Sequence, residues 1–231
     1  MADPAPVPPI DYCMRDHFLM RFQVRVSLWI RRKMLAAMPF QPAMSVLEVG
    51  TTPDTTFPDQ NFFSKGALAR GCRVSVTSVE DCTAMARENG FYWIPMAPLL
   101  RDAPSRRFDC VVSAAVLEHI EGERGKVDHL RFLDRLSERY VVITIPNRGH
   151  WLEVHTKLPL IHWLPKPMHR ALLRCVGLTQ WANPAHMDLL WNSEFRRLVD
   201  LAFAGRRIQF KTFWFLGAIS NIVAVIEKSP P

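Results

Sequence analysis

The chain has 231 residues, and its 29 lysines and arginines exceed its 22 aspartates and glutamates, which gives a formal net charge of +7. This length suits one α/β domain with a substantial buried core, while the positive charge suits an acidic partner, a membrane surface or nucleic acid without specifying a fold. The cysteines have no Cys-x-x-Cys spacing, which argues against a zinc site and a disulfide framework and favours a reducing compartment: Cys13, Cys72, Cys82, Cys110 and Cys175.

Residues 1–10 are rich in proline and alanine and lack the basic and apolar regions of a secretory signal. We therefore expect a flexible leader followed by a single domain over residues 11–231. No apolar run reaches the roughly 18 residues of a membrane-spanning helix, so none is predicted. A cytoplasmic location is expected.

A basic amphipathic helix is predicted over residues 11–38, ended by Pro39 and Pro42. Its apolar residues recur every three or four positions: Phe18, Phe22, Val26, Trp29 and Ile30. Two interpretations remain open. The helix packs on the edge of a sheet with a solvated basic face, or it contacts an anionic substrate or the inner face of a membrane.

The first predicted strand covers residues 45–49 and contains one acidic residue, Glu48. Gly50 and a turn of small residues follow it. An apolar strand, an acid and a small-residue turn are how an α/β fold presents backbone N–H groups to a nucleotide-like ligand. After a short helix over residues 62–70, a second strand is predicted over residues 72–79.

Two acidic residues follow the second strand. Glu80 is placed to accept hydrogen bonds from both ribose hydroxyls of a nucleoside, and Asp81 is placed to cap a short helix over residues 82–89. A third strand is predicted over residues 91–94 and a loop over residues 95–100.

Residues 108–120 begin with Phe-Asp, continue as an apolar strand with small residues, and end in Leu-Glu-His. This segment resembles the fourth motif of class I S-adenosylmethionine-dependent methyltransferases. Residues 45–54 resemble the first motif of the same family, in which an acid precedes Gly-x-Gly-x-Gly. The chain keeps Glu48 and Gly50 and has Thr52 and Asp54 at the later glycine positions.

The resemblance implies a Rossmann-like, seven-stranded, mostly parallel sheet with helices on both faces and an antiparallel last strand. It also implies S-adenosyl-L-methionine as the cofactor. His119 is either a base or a support for its loop. The residues implied for the cofactor are Glu48 near the methionine ammonium, Gly50, Thr51 and Thr52 along the loop, Glu80 and Asp81 near the ribose, Met96 and Ala97 near adenine, where the family often has Asp-Gly, and Ser113 and Ala114 beside the methionine portion.

Further elements continue this α/β pattern. The predicted elements are a helix over 126–139, a strand over 140–145, a helix over 194–204 with Ser193 as its N-cap, and strands over 207–215 and 219–227.

Residues 147–191 are an insertion, rich in proline and tryptophan, that resembles a branch of small bacterial methyltransferases. We expect an ordered lid over the strand ends, with a basic amphipathic helix over residues 166–177. Glu153 and His155 are two residues apart, so they form either a carboxylate-oriented general base or hydrogen bonds that hold the lid. No metal site is expected, because His150, His155 and His162 lack compact spacing.

The sequence therefore predicts methyl transfer to a small-molecule or lipid-like acceptor. The alternative is a non-catalytic binding or scaffold subunit, suggested by the missing glycines. Nucleic-acid methylation is disfavoured because the chain lacks an Asn/Asp-Pro-Pro-Tyr/Phe motif. The oligomeric state is left open.

Overall fold

The computed structural model describes residues 18–102, 107–153, 155–156 and 158–228. Seven strands form one sheet in the order β3-β2-β1-β4-β5-β7-β6, and β7 is antiparallel to both of its neighbours. This arrangement confirms the predicted Rossmann-like fold. The strands are β1 Ser45–Val49, β2 Arg73–Thr77, β3 Tyr92–Trp93, β4 Phe108–Ala114, β5 Ser137–Pro146, β6 Arg207–Phe215 and β7 Ala218–Glu227.

Helices cover both faces of the sheet. Consecutive residues of β1 face opposite layers, because side chains alternate along a strand. Val46 packs in a cluster with residues of the first three helices, and Leu47 packs in a cluster with residues of the fifth and seventh. The helices are α1 Phe18–Ala36, α2 Phe62–Ala69, α3 Thr83–Asn89, α4 Met96–Asp102, α5 Gly122–Leu136, α6 Lys166–Cys175 and α7 Asn192–Ala202.

Three local predictions are wrong. The loop predicted over residues 95–100 is the start of α4, where Pro98 lies in the first turn and its missing N–H is not needed. Helix α5 ends before β5, because Ser137 pairs with Phe108 of β4. Ser193 is not the N-cap of α7; the helix begins two residues earlier than predicted, and the Glu194 carboxylate accepts a hydrogen bond from the N–H of the N-cap residue Trp191 at 2.9 Å.

Helix α1 is partly buried. Ile30 and Met34 lie in the core, whereas Phe22 and Trp29 are 57% and 46% exposed. The predicted apolar stripe is therefore only partly a packing surface. The start of the predicted helix and the leader over residues 1–10 lie outside the described residues. Among the helices that the structure describes, none is both long and apolar enough to cross a bilayer.

The inserted segment 147–191 folds back onto the sheet. Asn147 and Leu190, near its two ends, form a parallel bridge. Between them lie a 3-10 turn, Ile161–Trp163, and helix α6. The segment, called the lid below, has its own small apolar cluster, made of Leu173, Ala182, Met187 and Leu189.

A buried ion pair fastens the lid to α5. The Asp188 carboxylate accepts hydrogen bonds from Lys126 at 2.6 Å and from Lys166 of α6 at 2.7 Å, and the Lys126 side chain is only 1% exposed. Burial alone would raise the Asp188 pKa, but the hydrogen bonds from the two lysines outweigh it and lower the pKa. The Asp188 N–H also donates to the Glu118 carbonyl at 2.6 Å.

Replacing Asp188 with asparagine leaves the Lys126 ammonium buried without its counter-ion. Losing one partner of a buried ion pair costs about 3–5 kcal/mol, so we expect Asp188→Asn to lower the free energy of unfolding by about that amount in urea titrations. The control is Glu123→Gln, which breaks the exposed pair with Arg197 and should change stability little. Similar losses in both variants would contradict the anchoring role of Asp188.

Candidate active site

The turn after β1 requires glycine. Gly50 has a φ of +90°, and a Cβ built there would lie 2.3 Å from Cγ2 of Val116, which follows β4. Only glycine adopts this backbone conformation readily, and only glycine leaves room for Val116. The turn therefore holds the ends of β1 and β4 in close contact.

The backbone N–H groups of this turn have partners within the chain. Those of Gly50 and Thr51 both donate to the Thr77 carbonyl, at 2.8 and 3.3 Å. The Thr52 N–H donates to the Asn61 side-chain oxygen at 3.1 Å, and the Asn61 amide donates back to the Thr52 carbonyl at 2.9 Å. The three N–H groups predicted to approach a cofactor therefore already donate hydrogen bonds within the chain, two of them to Thr77 and one to Asn61.

Hydrogen bonds to a side chain also hold the next part of this loop in shape. Asp54 stands at a position where the methyltransferase motif has glycine, and its carboxylate accepts hydrogen bonds from the Thr56 N–H at 2.8 Å and the Gln60 amide at 2.6 Å. Burial alone would raise the Asp54 pKa, but these bonds lower it. Polar side chains therefore shape the loop here, in place of further glycines.

Glu48 is buried, and it connects β1 to α2. Its Oε2 atom accepts hydrogen bonds from both the N–H, at 2.9 Å, and the hydroxyl of Ser64. Burial raises the pKa of this carboxyl group more than these bonds lower it. The predicted contact of Glu48 with a methionine ammonium stays a prediction.

Glu80 and Asp81 lie at the same edge of the sheet as Gly50, because β1 and β2 are parallel and Val49 pairs with Thr77. Asp81 accepts a hydrogen bond from the Thr83 N–H at 2.9 Å, but the N-cap residue of α3 is Cys82, so the predicted cap at Asp81 is wrong by one residue. Glu80 is half-buried. Its predicted role with the ribose stays a prediction.

The remaining residues predicted to contact the cofactor lie in different environments. Met96 packs against the core, and Ala97 is exposed in the first turn of α4. The Ser113 hydroxyl is hydrogen-bonded to His129 of α5 at 3.0 Å, whereas Ala114 faces the opposite layer. Burial lowers the His129 pKa to about 4, which keeps this imidazole neutral.

Glu153 and His155 bond directly to each other within the lid. The His155 Nδ1–H donates to Glu153 Oε1 at 2.6 Å, and the His155 backbone N–H donates to the same oxygen at 2.9 Å. Burial would raise the Glu153 pKa, but His155 lowers it to about 2. Burial would lower the His155 pKa, but Glu153 raises it. The arrangement is that of a histidine oriented by a carboxylate.

His155 reaches the loop that follows β4. Its ring lies edge-on to that of His119, with centroids 5.7 Å apart, and 5.0 Å from the Trp181 ring. Glu118 and His119 occupy a 3-10 turn, Leu117–His119, at the carboxyl end of β4. One potential ligand atom from each of Glu118, His119 and His155 lies within 4.8 Å of the other two. Sequence reasoning did not find this cluster, since Glu118 was considered only as part of a motif.

Two other lid histidines bond to backbone carbonyls. His150 bonds to the carbonyls of Leu152 at 2.9 Å and Phe215 at 3.1 Å, and His162 bonds to the His150 carbonyl at 2.6 Å. They hold the lid in shape and lie outside the cluster around His155.

The chain is similar in structure to several solved proteins. A SAM-dependent methyltransferase from Archaeoglobus fulgidus has a TM-score of 0.57 and 14% identity, covering 91% of this chain and 99% of that one. Magnesium protoporphyrin IX methyltransferase from Synechocystis PCC 6803 with bound SAH has a TM-score of 0.56 and 12% identity, covering 94% and 90%. A TehB-like SAM-dependent methyltransferase from Corynebacterium glutamicum has a TM-score of 0.52 and 15% identity, covering 92% and 96%.

At these identities the comparisons describe the fold. The sequence matches no protein-family profile and no curated protein. The strand order and the solved structures together show that the chain has the fold of class I S-adenosylmethionine-dependent methyltransferases.

Adding a methyl group at residue 50 tests whether the turn after β1 requires glycine. We expect Gly50→Ala to lower the free energy of unfolding by about 1–3 kcal/mol more than Gly177→Ala, because it adds overpacking to backbone strain. Gly177 is a matched control, with a φ of +79° and, among the described residues, no atom within 4 Å of an added Cβ. Adding Val116→Ala to Gly50→Ala should recover part of the loss in the same urea titrations. Equal losses at residues 50 and 177 would contradict the close contact.

Proposed function

We propose that the chain binds S-adenosyl-L-methionine and transfers its methyl group to a small-molecule or lipid-like acceptor. The observation that carries the proposal is the seven-stranded sheet, which brings Gly50 and Glu80 to one edge beside the end of β4. In open α/β sheets, ligands bind at the carboxyl ends of the strands. Two of the similar structures, both of magnesium protoporphyrin IX methyltransferase, are described with bound SAH or SAM, which supports the choice of cofactor.

The residues at this edge suit such a cofactor. Gly50 lets the turn after β1 pass close to Val116 at the end of β4, and we assign the half-buried Glu80 carboxylate to accept hydrogen bonds from the ribose hydroxyl groups. The cofactor supplies a methyl carbon already activated by a sulfonium group, so the protein mainly aligns the reactants and excludes water. Met96, Ala97 and Ala114 are the proposed apolar contacts.

The lid supports the proposal for the acceptor. Asp188 connects it to α5 and to the turn after β4, and it carries the pair formed by buried Glu153 and half-buried His155. A histidine oriented by a carboxylate can take a proton from an acceptor hydroxyl. The exposed aromatic side chains of α1, Phe22 and Trp29, stand among basic residues and suit an acceptor or a surface that combines apolar and anionic parts.

A second candidate function is a non-catalytic binding subunit. It is favoured by the hydrogen bonds of the turn after β1, where the N–H groups of Gly50, Thr51 and Thr52 already have partners. A site that uses these groups for a ligand would have to exchange those bonds on binding, which reduces affinity.

Calorimetric titration with S-adenosylmethionine and its demethylated product distinguishes the two functions. We expect micromolar binding to the wild type, and about 10–100-fold weaker binding to Glu80→Gln, since a hydrogen bond to a charged group contributes about 1.5–3 kcal/mol. Glu88→Gln is the matched control, because it removes the same charge at an exposed position on α3 and should bind normally. Absence of binding by folded wild type at millimolar cofactor would favour the binding subunit.

Peripheral membrane contact through α1 is tested by point variants, because Ile30 and Met34 belong to the core and deletion of the helix would unfold the protein. We expect Phe22→Ser and Trp29→Ser to reduce sedimentation with anionic phosphatidylserine vesicles several-fold. Leu201→Ser, at a similarly exposed position on α7, should leave sedimentation unchanged. Equal sedimentation of all variants would remove the membrane role of α1.

A further inference from the structure

The cluster of Glu118, His119 and His155 has the composition of a metal site. Two of its members follow β4, and the third comes from the lid. One potential ligand atom of each lies within 4.8 Å of the others. Ligand atoms at about 2.0–2.2 Å from an ion stand roughly 3–3.5 Å apart, so small side-chain rotations would close the cluster on one.

The carboxylate of Glu118 lacks a partner among the described residues. The side chain is 2% exposed, and among the described residues neither carboxylate oxygen has a hydrogen-bond donor. The nearby Lys126 ammonium donates instead to the Ile120 carbonyl and to Asp188. A buried polar group without a partner is costly, and a bound cation removes that cost.

Both histidines are prepared to offer the same ring atom. Nδ1–H of His119 donates to the His186 carbonyl at 2.6 Å, and Nδ1–H of His155 donates to Glu153 at 2.6 Å. These bonds leave Nε2 as the lone-pair atom of each imidazole. Metal-bound histidines characteristically donate their other N–H to a carbonyl or a carboxylate, which fixes the ring orientation.

We propose that Glu118, His119 and His155 bind a divalent transition-metal ion. Two imidazole nitrogens and one carboxylate suit Zn²⁺, Fe²⁺ or Co²⁺, whereas Mg²⁺ and Ca²⁺ prefer oxygen ligands. Three protein ligands leave at least one coordination position for water or substrate. The site departs from the sequence-based expectation of no metal, which considered only the spacing of the lid histidines.

The open coordination position suggests a role for the ion in activating the acceptor. That role rests on the proposed methyl transfer, whereas the metal site itself does not. A bound metal ion lowers the pKa of a coordinated hydroxyl or thiol. The acceptor would lose its proton to water, and its oxygen or sulfur would attack the methyl carbon as the bond from that carbon to sulfur breaks, leaving S-adenosylhomocysteine. With the ion bound, His155 is a metal ligand in place of a general base, and Glu153 is a positioning residue.

The test is metal binding by the whole 231-residue chain, after tag removal and dialysis against a chelator. We expect calorimetry with ZnCl₂ to give one ion per chain with micromolar or tighter affinity. Co²⁺ should give the visible absorption bands of a low-coordinate nitrogen and oxygen site. A folded wild type that binds neither ion would overturn the proposal and leave Glu118 paired with a protonated His155 instead.

Variants locate the ion. Glu118→Gln and His155→Ala should weaken Zn²⁺ binding about 100-fold or more, and Glu153→Gln should weaken it about 10–100-fold. His169→Asn removes another buried imidazole from the lid and should bind normally. Circular dichroism verifies folding, and the isosteric Glu118→Gln keeps the test valid if His155→Ala unfolds. Unchanged affinity in both ligand variants would overturn the site.

Titrating S-adenosylmethionine separately, with and without Zn²⁺, keeps the two proposals apart. Metal binding without cofactor binding would retain this site and remove the proposed function. Cofactor binding by a wild type that binds no metal would remove this site alone.

Discussion

The buried ion pair between Asp188 and Lys126 determines how the lid meets the sheet. Two charges leave water here, and they repay that cost only in a geometry that keeps both partnered. The same ammonium holds the Ile120 carbonyl, and the Asp188 amide holds the Glu118 carbonyl. One interaction therefore fixes α5, the turn after β4 and the lid together, and this brings His155 to His119.

The fold could be predicted to the extent that local pattern decides it. The strand over 45–49 is an apolar run that a glycine ends, and the structure gives the same bounds. The secondary-structure predictions were wrong where contacts with residues distant in sequence determine the local structure. Ser137 joins β5 because β4 lies beside it, and residues 96–100 are helical where Leu99 is buried in the core. Neither the neighbouring strand β4 nor the core around Leu99 can be recognised from the local sequence.

The candidate site was less predictable, because its chemistry depends on which groups already have partners. The sequence pointed to Gly50, and its φ and its contact with Val116 explain why glycine stands there. It could not reveal that Thr77 occupies the N–H groups of the turn. Nor could it reveal that Glu118 and His155 meet, since one follows a strand of the sheet and the other belongs to the lid.

The bridge between Asn147 and Leu190 has a consequence for how such a protein can evolve. The lid leaves the sheet and returns to it at neighbouring points, and the Arg148 N–H donates to the Leu190 carbonyl at 3.0 Å. An insertion that starts and finishes at one place can gain, lose or exchange residues without displacing the elements on either side. Exchange of the residues between these two points is compatible with the same sheet as long as Asp188 remains as the partner of Lys126.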